Sequence, residues 1–302
     1  MGFIEELRSI LDNAVKSVEI THALTSGGLD SSIASALARK YNDFKGVVVS
    51  LEGKSPDIKY AKILADKIGI KLDLVDVSLE EAIDYVEKTV KILATFDPME
   101  VVNSTVILIA FEHIKSDNGI RVLTGDGGDE LFAGYSYMHK MDFKELEEYI
   151  AKLPSFWSFS SFKIGESLGL KVFSPYLVDY VVEYALKIPP ELKIVKFRDK
   201  KIGKYILRIA FEDLIPKEIA WREKHPIEVG SGFNRLYKVL EDLSEGLEFE
   251  EVRFWHRSQP YLYDIFRRYH RIKRNGEKSC PFCGSKVLGK HCKTCGAMVD
   301  QI

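Results

Sequence analysis

The chain has 302 residues, 46% of them hydrophobic and 29% charged, with a formal net charge of −2, the composition of a globular protein with a sizeable core. No apolar run approaches the roughly 20 residues needed to span a bilayer, and the opening residues MGFIEELRSILDNAVKSVEI lack the basic start and unbroken apolar core of a signal peptide. All four cysteines fall at 280, 283, 292 and 295, which argues against a disulfide framework and against a cysteine nucleophile in the main body. The expectation is a cytoplasmic protein with no membrane partner.

Residues 2–17 read as an amphipathic helix, with Phe3, Ile4, Leu7, Ile10, Leu11 and Val15 on one side. Apolar, β-branched runs then predict strands at 18–24, 46–51, 71–76 and 120–124. Helical patterns fill 30–41, 57–69, 79–94 and 102–115 between them. This alternation predicts an α/β fold, a parallel sheet with helices on both faces and ligands at the C-terminal ends of the strands. From about 135 the strand signal fades and helices dominate, with IPPEL and IPKEI each breaking a helical run. The divisions expected are a main domain over 1–232, a basic helical segment over 233–275 and a cysteine-bearing piece over 276–302.

Two glycine-rich turns follow predicted strands. The first, LTSGGLDSS at 24–32, has the strand–turn–helix arrangement that aims backbone N–H groups and a helix N-terminus at an anion. Gly27 and Gly28 also suit a plain tight turn, with Asp30 or Ser31 capping the helix. The second, LTGDGGDELFAGY at 123–135, adds Asp126, Asp129 and Glu130; by itself it also suits an acidic surface turn. Two such turns at the ends of two strands of one sheet can converge on a single ligand. Hydroxyl and N–H groups of the first suit a phosphate chain, and Asp30 with Asp129 suits Mg²⁺. The first turn lacks the lysine of a Walker-type loop, so a nucleotide is held differently from a P-loop kinase.

These residues carry a resemblance. SGGLDSS is similar to the pyrophosphate-binding loop of the ATP-pyrophosphatase (PP-loop) superfamily, whose fold is adenine nucleotide α-hydrolase-like. GDGGDELFAGY resembles the matching motif of the synthetase domain of asparagine synthetases. SPDIKYAKILADKIG at 55–69, FSPYLVDYVVEYALKIPPELK at 173–193 and KYILRIAFEDLIPKEIAWREKHP at 204–226 follow in that family's order. The resemblance covers about residues 18–232. It implies attack of a substrate carboxylate on the α-phosphate of ATP, release of pyrophosphate, and amide formation from the acyl-adenylate with ammonia or an amine. It implies that Ser26, Gly27, Gly28, Leu29, Asp30, Ser31 and Ser32 hold pyrophosphate, with Asp30 and Asp129 on Mg²⁺. It places Gly125 by the nucleotide, Ser50 and Leu51 beside the adenine, Lys224 as the transition-state lysine and Asp126 near the acyl intermediate. A solvated surface role for Lys224 is the alternative.

Two departures from the family stand out. Its glutaminase nucleophile is a cysteine after the initiator methionine, whereas Gly2 stands here, so nitrogen is expected from free ammonia, another amine or a separate glutaminase. Its substrate-side DxxR segment falls on Trp157 to Ser160, so the charges that help recognise aspartate are missing and the acceptor is left as a small carboxylate.

CPFCGSKVLGKHCKTCG is two CxxCG knuckles eight residues apart, the pattern of a zinc ribbon with Cys280, Cys283, Cys292 and Cys295 around one tetrahedral Zn²⁺. A redox CxxC is the rival, and His291 is an adjacent ligand type. From Arg253 to Lys293, 11 Lys and Arg stand against two acids, so this segment carries +9 and the remainder −11. Basic residues interleaved with aromatics suit RNA. An amphipathic helix with Tyr261, Ile265, Phe266 and Tyr269 inward suits the pattern too. The readings carried forward are an asparagine-synthetase-like amidoligase, a tRNA-modifying enzyme that adenylates a base, and an adaptor that binds ATP without turnover.

Overall fold

The β-branched runs form five short strands: β1 (His22–Leu24), β2 (Lys45–Leu51), β3 (Lys71–Val77), β4 (Arg121–Leu123) and β5 (Lys171–Phe173). Every pairing is parallel, and the order across the sheet is β3-β2-β1-β4-β5. The computed structural model describes residues 2–197, 200–274, 278–287 and 289–299; the expected bounds of the cysteine-bearing piece, 276 and 302, lie outside these. Among the described residues no single helix is long and apolar enough to cross a membrane.

Helices cover both faces, as the alternation of patterns predicts. α1 (Gly2–Lys16), α2 (Leu29–Ala38) and α3 (Asp57–Ile68) lie on one side with the helices Asp179–Lys187 and Tyr205–Phe211, around a core that includes Leu7, Leu11, Ile33, Leu37, Leu64 and Phe211. α4 (Leu79–Leu93) and α5 (Pro98–Ser116) cover the other side. α4 begins at a capping box, Ser78 and Glu81 each satisfying the other's backbone N–H. α5 begins at Pro98, four residues before the apolar pattern suggests. Asp97 caps it by accepting from the Met99 N–H at 3.1 Å, and proline is tolerated in a first turn.

The fifth strand escapes a sequence reading. Lys171–Phe173 is three residues long, caught between Gly169 in the left-handed region and Ser174–Pro175, too short for an alternation to register. It pairs at the sheet edge with β4, Arg121 facing Lys171. A small antiparallel pair, Val195–Phe197 with Lys200–Ile202, also falls within the stretch where the sequence predicts helices.

The basic segment packs into the same core as α4 and α5. Fully buried Phe96 meets Tyr263 and Phe266 of the helix Gln259–Tyr269 edge-on, with centroids 5.1 and 5.2 Å apart. Each such ring buried contributes about 1.5–3 kcal/mol. Ile265 and Phe266 point inward, Tyr261 is half-buried and Tyr269 exposed, while Arg267 and Arg268 face out onto Asp264 and Glu87. The amphipathic arrangement therefore accounts for this helix.

Candidate active site

Strand order brings the two glycine-rich turns together. β1 connects onward to β2 on one side, while its other neighbour is β4, so the direction of winding reverses between β1 and β4. Turns that leave the C-terminal ends of two such strands open a crevice suited to ligands. The Cβ that an alanine at 125 would carry lies 2.9 Å from Ser31 N, and one at 128 would strike the Asp30 carboxylate. Glycine is thus required at both positions for the turns to touch.

In the first turn Gly27 adopts φ +66° and packs its backbone on Tyr60 and Ala61 of α3, where no Cβ fits. Ser26 Oγ accepts from the Gly28 N–H at 3.2 Å and lies 3.3 Å from Ser31 Oγ. Gly28 stands at the N-cap of α2, and no side chain caps that helix. The positive end of its dipole is left for an anion. Leu29 turns its side chain into the core, so what it offers a ligand is backbone; Ser32 is fully buried.

At the mouth of the crevice lies a compact cluster of two carboxylates and two lysines. Asp30 Oδ2 and Asp129 Oδ1 (2.7 Å) both contact the Lys204 ammonium, and Lys224 Nζ reaches Asp129 Oδ1 at 2.6 Å. Burial pushes the Asp30 carboxyl up from the usual carboxylate range, against the pull of Lys204. Burial also opposes the charge of Asp129, but there Lys204 and Lys224 together outweigh it and hold the carboxyl below the usual range. Desolvation disfavours the Lys204 ammonium, and Asp129 and Asp30 more than offset it. Asp30 Oδ1 is buried with no hydrogen-bond partner among the described residues. A buried oxygen without a donor beside a second carboxylate is a donor set that fits a hard cation such as Mg²⁺.

Lys204 is the residue that sequence reasoning missed. It opens the KYILRIAF run, whose periodicity speaks only of a helix, yet it stands just outside that helix in the left-handed region (φ +58°). Its N–H donates to Phe132 O at 2.8 Å, and Gly134 leaves the room its side chain needs beside Asp129. The available signal was a lysine directly after a glycine, at the head of a run already resembling a family motif.

Arg222 locks the approach. Its guanidinium donates to Gly27 O at 3.2 Å and Asp57 Oδ1 at 2.6 Å, and lies 3.9 Å from the Tyr60 ring centroid. Burial raises the Asp57 carboxyl, with Arg222 opposing. One residue thereby ties the first turn, α3 and the segment bearing Lys224. Lys224 itself sits 4.0 Å above the Tyr135 ring.

Three expected residues lie apart from this cluster. Asp126 turns its Oδ2 to the hydroxyls of Thr124 (2.8 Å) and Ser161 (2.6 Å), and burial raises its carboxyl. Ser50 and Leu51 end β2 fully buried, and the Leu51 N–H donates to Ser231 O at 3.1 Å.

At the far end of the chain Cys280, Cys283, Cys292 and Cys295 place their sulfurs within 4.8 Å of one another. The Cys280–Cys295 and Cys283–Cys292 separations are 3.6 and 3.7 Å. Corners of a tetrahedron with Zn–S bonds of about 2.3 Å are about 3.8 Å apart, so the four thiols fit zinc. The two knuckles repeat one pattern: Gly284 N donates to Cys280 O, and Gly296 N to Cys292 O. The cluster is anchored on the body. Trp255 Nε1 and Gln259 Nε2 donate to Cys295 O at 2.8 and 2.7 Å, and Phe96 N donates to Thr294 O at 2.9 Å. His291 Nε2 lies 3.5 Å from Asp97 Oδ2.

Residues 6–163 and 163–278 match the asparagine synthase family. The chain belongs to the asparagine synthase family. Among curated members it is 32% identical over 231 residues to asparagine synthetase [glutamine-hydrolyzing] 1 of Lotus japonicus, covering 70% of this chain and 39% of that protein. It is 30% identical over 276 residues to asparagine synthetase B of Escherichia coli K12, covering 82% and 49%. This family member thus spans less than half the length of these relatives. Among solved structures, the NMN synthetase of Francisella tularensis aligns with a TM-score of 0.41 at 12% identity, over 91% of this chain and 98% of that one. The U34-tRNA thiolase NcsA of Methanococcus maripaludis aligns at 0.41 and 17%, over 97% and 87%. Likeness at that level carries no argument about chemistry.

Proposed function

We propose that this asparagine synthase family member is an ATP-dependent amidoligase that adenylates a carboxylate. The observation that supports this most is the meeting of the two glycine turns at the reversal of strand order, with Asp30, Asp129, Lys204 and Lys224 at their junction. The difficulty of the reaction is charge: a carboxylate must approach a triphosphate, and pyrophosphate must leave. Preorganised donors in a site with little water lower that barrier without reorganising during reaction.

In this reading Ser26, Ser31 and the backbone of Gly27 and Gly28, with the free N-terminus of α2, cradle the β- and γ-phosphates. Gly125 lets the second turn approach the nucleotide by its backbone. Asp30 and Asp129 hold Mg²⁺, which when bound neutralises phosphate charge. Lys204 and Lys224, released from the carboxylates, supply positive charge to the α-phosphate and the departing pyrophosphate. The acceptor carboxylate oxygen attacks the α-phosphorus and the α–β phosphoanhydride bond breaks. Ammonia or an amine then attacks the acyl carbon and AMP leaves. Cys280, Cys283, Cys292 and Cys295 would hold one structural Zn²⁺ that fastens the C-terminal piece to the turn before α5 and to the helix Gln259–Tyr269.

The test is pyrophosphate release from ATP with carboxylic acids and ammonia as co-substrates. AMP and pyrophosphate are the expected products, lost in Asp30→Asn. Formation of ADP and phosphate would show that the bond broken is a different one.

A further inference from the structure

Beside the cluster lies a surface whose composition stands out from the chain around it. Residues 153–162, LPSFWSFSSF, contain no charged side chain although 29% of the chain is charged. Ser161 Oγ donates to Asp126 Oδ2 at 2.6 Å, which fixes this segment against the second glycine turn. Its rings run in series, Trp157 to Phe159 at 5.7 Å and Phe159 to Phe162 at 6.5 Å, and Phe156 and Phe162 remain 54% and 38% exposed. Beyond Asp129, Tyr135 underlies Lys224 and stacks on Tyr137 at 5.5 Å, with Tyr137 44% exposed. Trp157 and Tyr135 rest on the same small core of Ala133, Met138, Leu146, Ile150, Leu153 and Ile194. Aromatic side chains therefore adjoin both Asp126, through Ser161, and Lys224.

Several of the charges near this face are already committed. Arg208 donates to Gly203 O and Ala220 O, Arg222 to Asp57, and Glu130 accepts from the Tyr135 hydroxyl at 2.6 Å. An acceptor with a second carboxylate or an ammonium group on its body would lie mainly against rings and serine hydroxyls, where its charge loses water for little in return. An aromatic or alkyl body would instead bury apolar area there, leaving its single carboxylate to meet Lys224.

We infer that the acceptor is a monocarboxylic acid with an aromatic or otherwise apolar body, seated on Trp157, Phe159 and Tyr137. This rests on the adenylation reading, and its test separates the two. The full chain is titrated calorimetrically, with Mg²⁺ and an ATP analogue uncleavable between the α- and β-phosphates, using 3-phenylpropionate, aspartate and 3-phenylpropanamide. 3-Phenylpropionate is expected to bind at least about tenfold more tightly than aspartate or the amide. Phe159→Ala should weaken it about tenfold and Phe159→Leu should restore most of the loss, with thermal unfolding showing both variants folded. Aspartate binding equally well, no binding by either acid, or indifference to Phe159→Ala in a folded variant would overturn the inference. Pyrophosphate exchange with the wild-type chain supplies the second arm. Exchange driven by aspartate and not by 3-phenylpropionate leaves adenylation standing and removes the apolar acceptor. Phe159-dependent binding of 3-phenylpropionate without any exchange keeps the acceptor surface and removes adenylation.

Discussion

Replacing Lys204 by methionine isolates the electrostatics of the carboxylate–lysine cluster. Methionine nearly preserves the length of the side chain while removing its ammonium, which in the wild type contacts Asp30 Oδ2 and Asp129 Oδ1. The cluster of two acids and two lysines is neutral, so the variant is left with an excess negative charge in a site where the Lys204 and Asp30 side chains are only 6% and 12% exposed. Asp129 retains Lys224, so Asp30 is the group that must take up a proton. Protonating a carboxyl whose unfolded pKa is about 3.9 costs about 4 kcal/mol at pH 7 and about 1.5 kcal/mol at pH 5. These values bound the destabilisation at each pH, and the one at pH 7 falls within the range of about 3–5 kcal/mol for breaking a buried ion pair. The sign follows from the raised Asp30 carboxyl in the folded variant. Burial already raises this carboxyl in the wild type and loss of Lys204 raises it further, so the variant loses more stability than wild type as pH rises from about 4 to 7, by up to about 1.4 kcal/mol per pH unit. The assay is urea unfolding of both proteins at pH 5, 6 and 7. A destabilisation below about 1 kcal/mol at pH 7, or one that does not shrink on acidification, would refute the argument that Lys204 holds Asp30 ionised.

The remaining predictions follow from neighbouring contacts. Millimolar Mg²⁺ should raise the melting temperature of Lys204→Met more than that of wild type, since the metal replaces the lost cation; differential scanning fluorimetry decides, and equal shifts would argue against metal binding at Asp30 and Asp129. Arg222→Ala leaves Asp57 buried without its partner and should cost about 3–5 kcal/mol in chemical denaturation. Arg222→Lys should recover only part of this, because a single ammonium cannot reach Gly27 O and Asp57 Oδ1 as the planar fork does. Gly27→Ala must adopt φ +66° against the Tyr60 backbone, so its KM for ATP should rise at least about tenfold in a pyrophosphate-release assay with the chain still folded. Purified reduced protein should contain about one zinc per chain. Chelation should speed hydrogen exchange in the helix Gln259–Tyr269, which holds the cysteine cluster through Gln259.

Local chemistry and periodicity reached a good part of this protein. β-branched runs separated by helical patterns imply a parallel sheet because each strand must return through a crossover. Four of the five strands lie where those runs stand, and the short β5 carried too little pattern to register. Small residues after two strands marked both turns, since only glycine permits the close approaches at 27, 125 and 128. The paired CxxCG spacing marked the four thiols, because two residues between sulfurs set both on one metal-sized centre. Tertiary structure decided the rest. Which strands neighbour one another is a long-range property, and only the order β3-β2-β1-β4-β5 sets the two turns side by side. Little in the local sequence marks Lys204 and Arg222, because their partners Asp30 and Asp57 lie 174 and 165 residues away. Residues 156–162 and 263–266 both carry aromatic rings, yet the first group stays partly open beside the site while the second closes on Phe96. A sequence specifies side-chain chemistry and local backbone preference. Which charges meet, and which rings stay exposed, follows from how the whole chain divides its apolar area between competing cores.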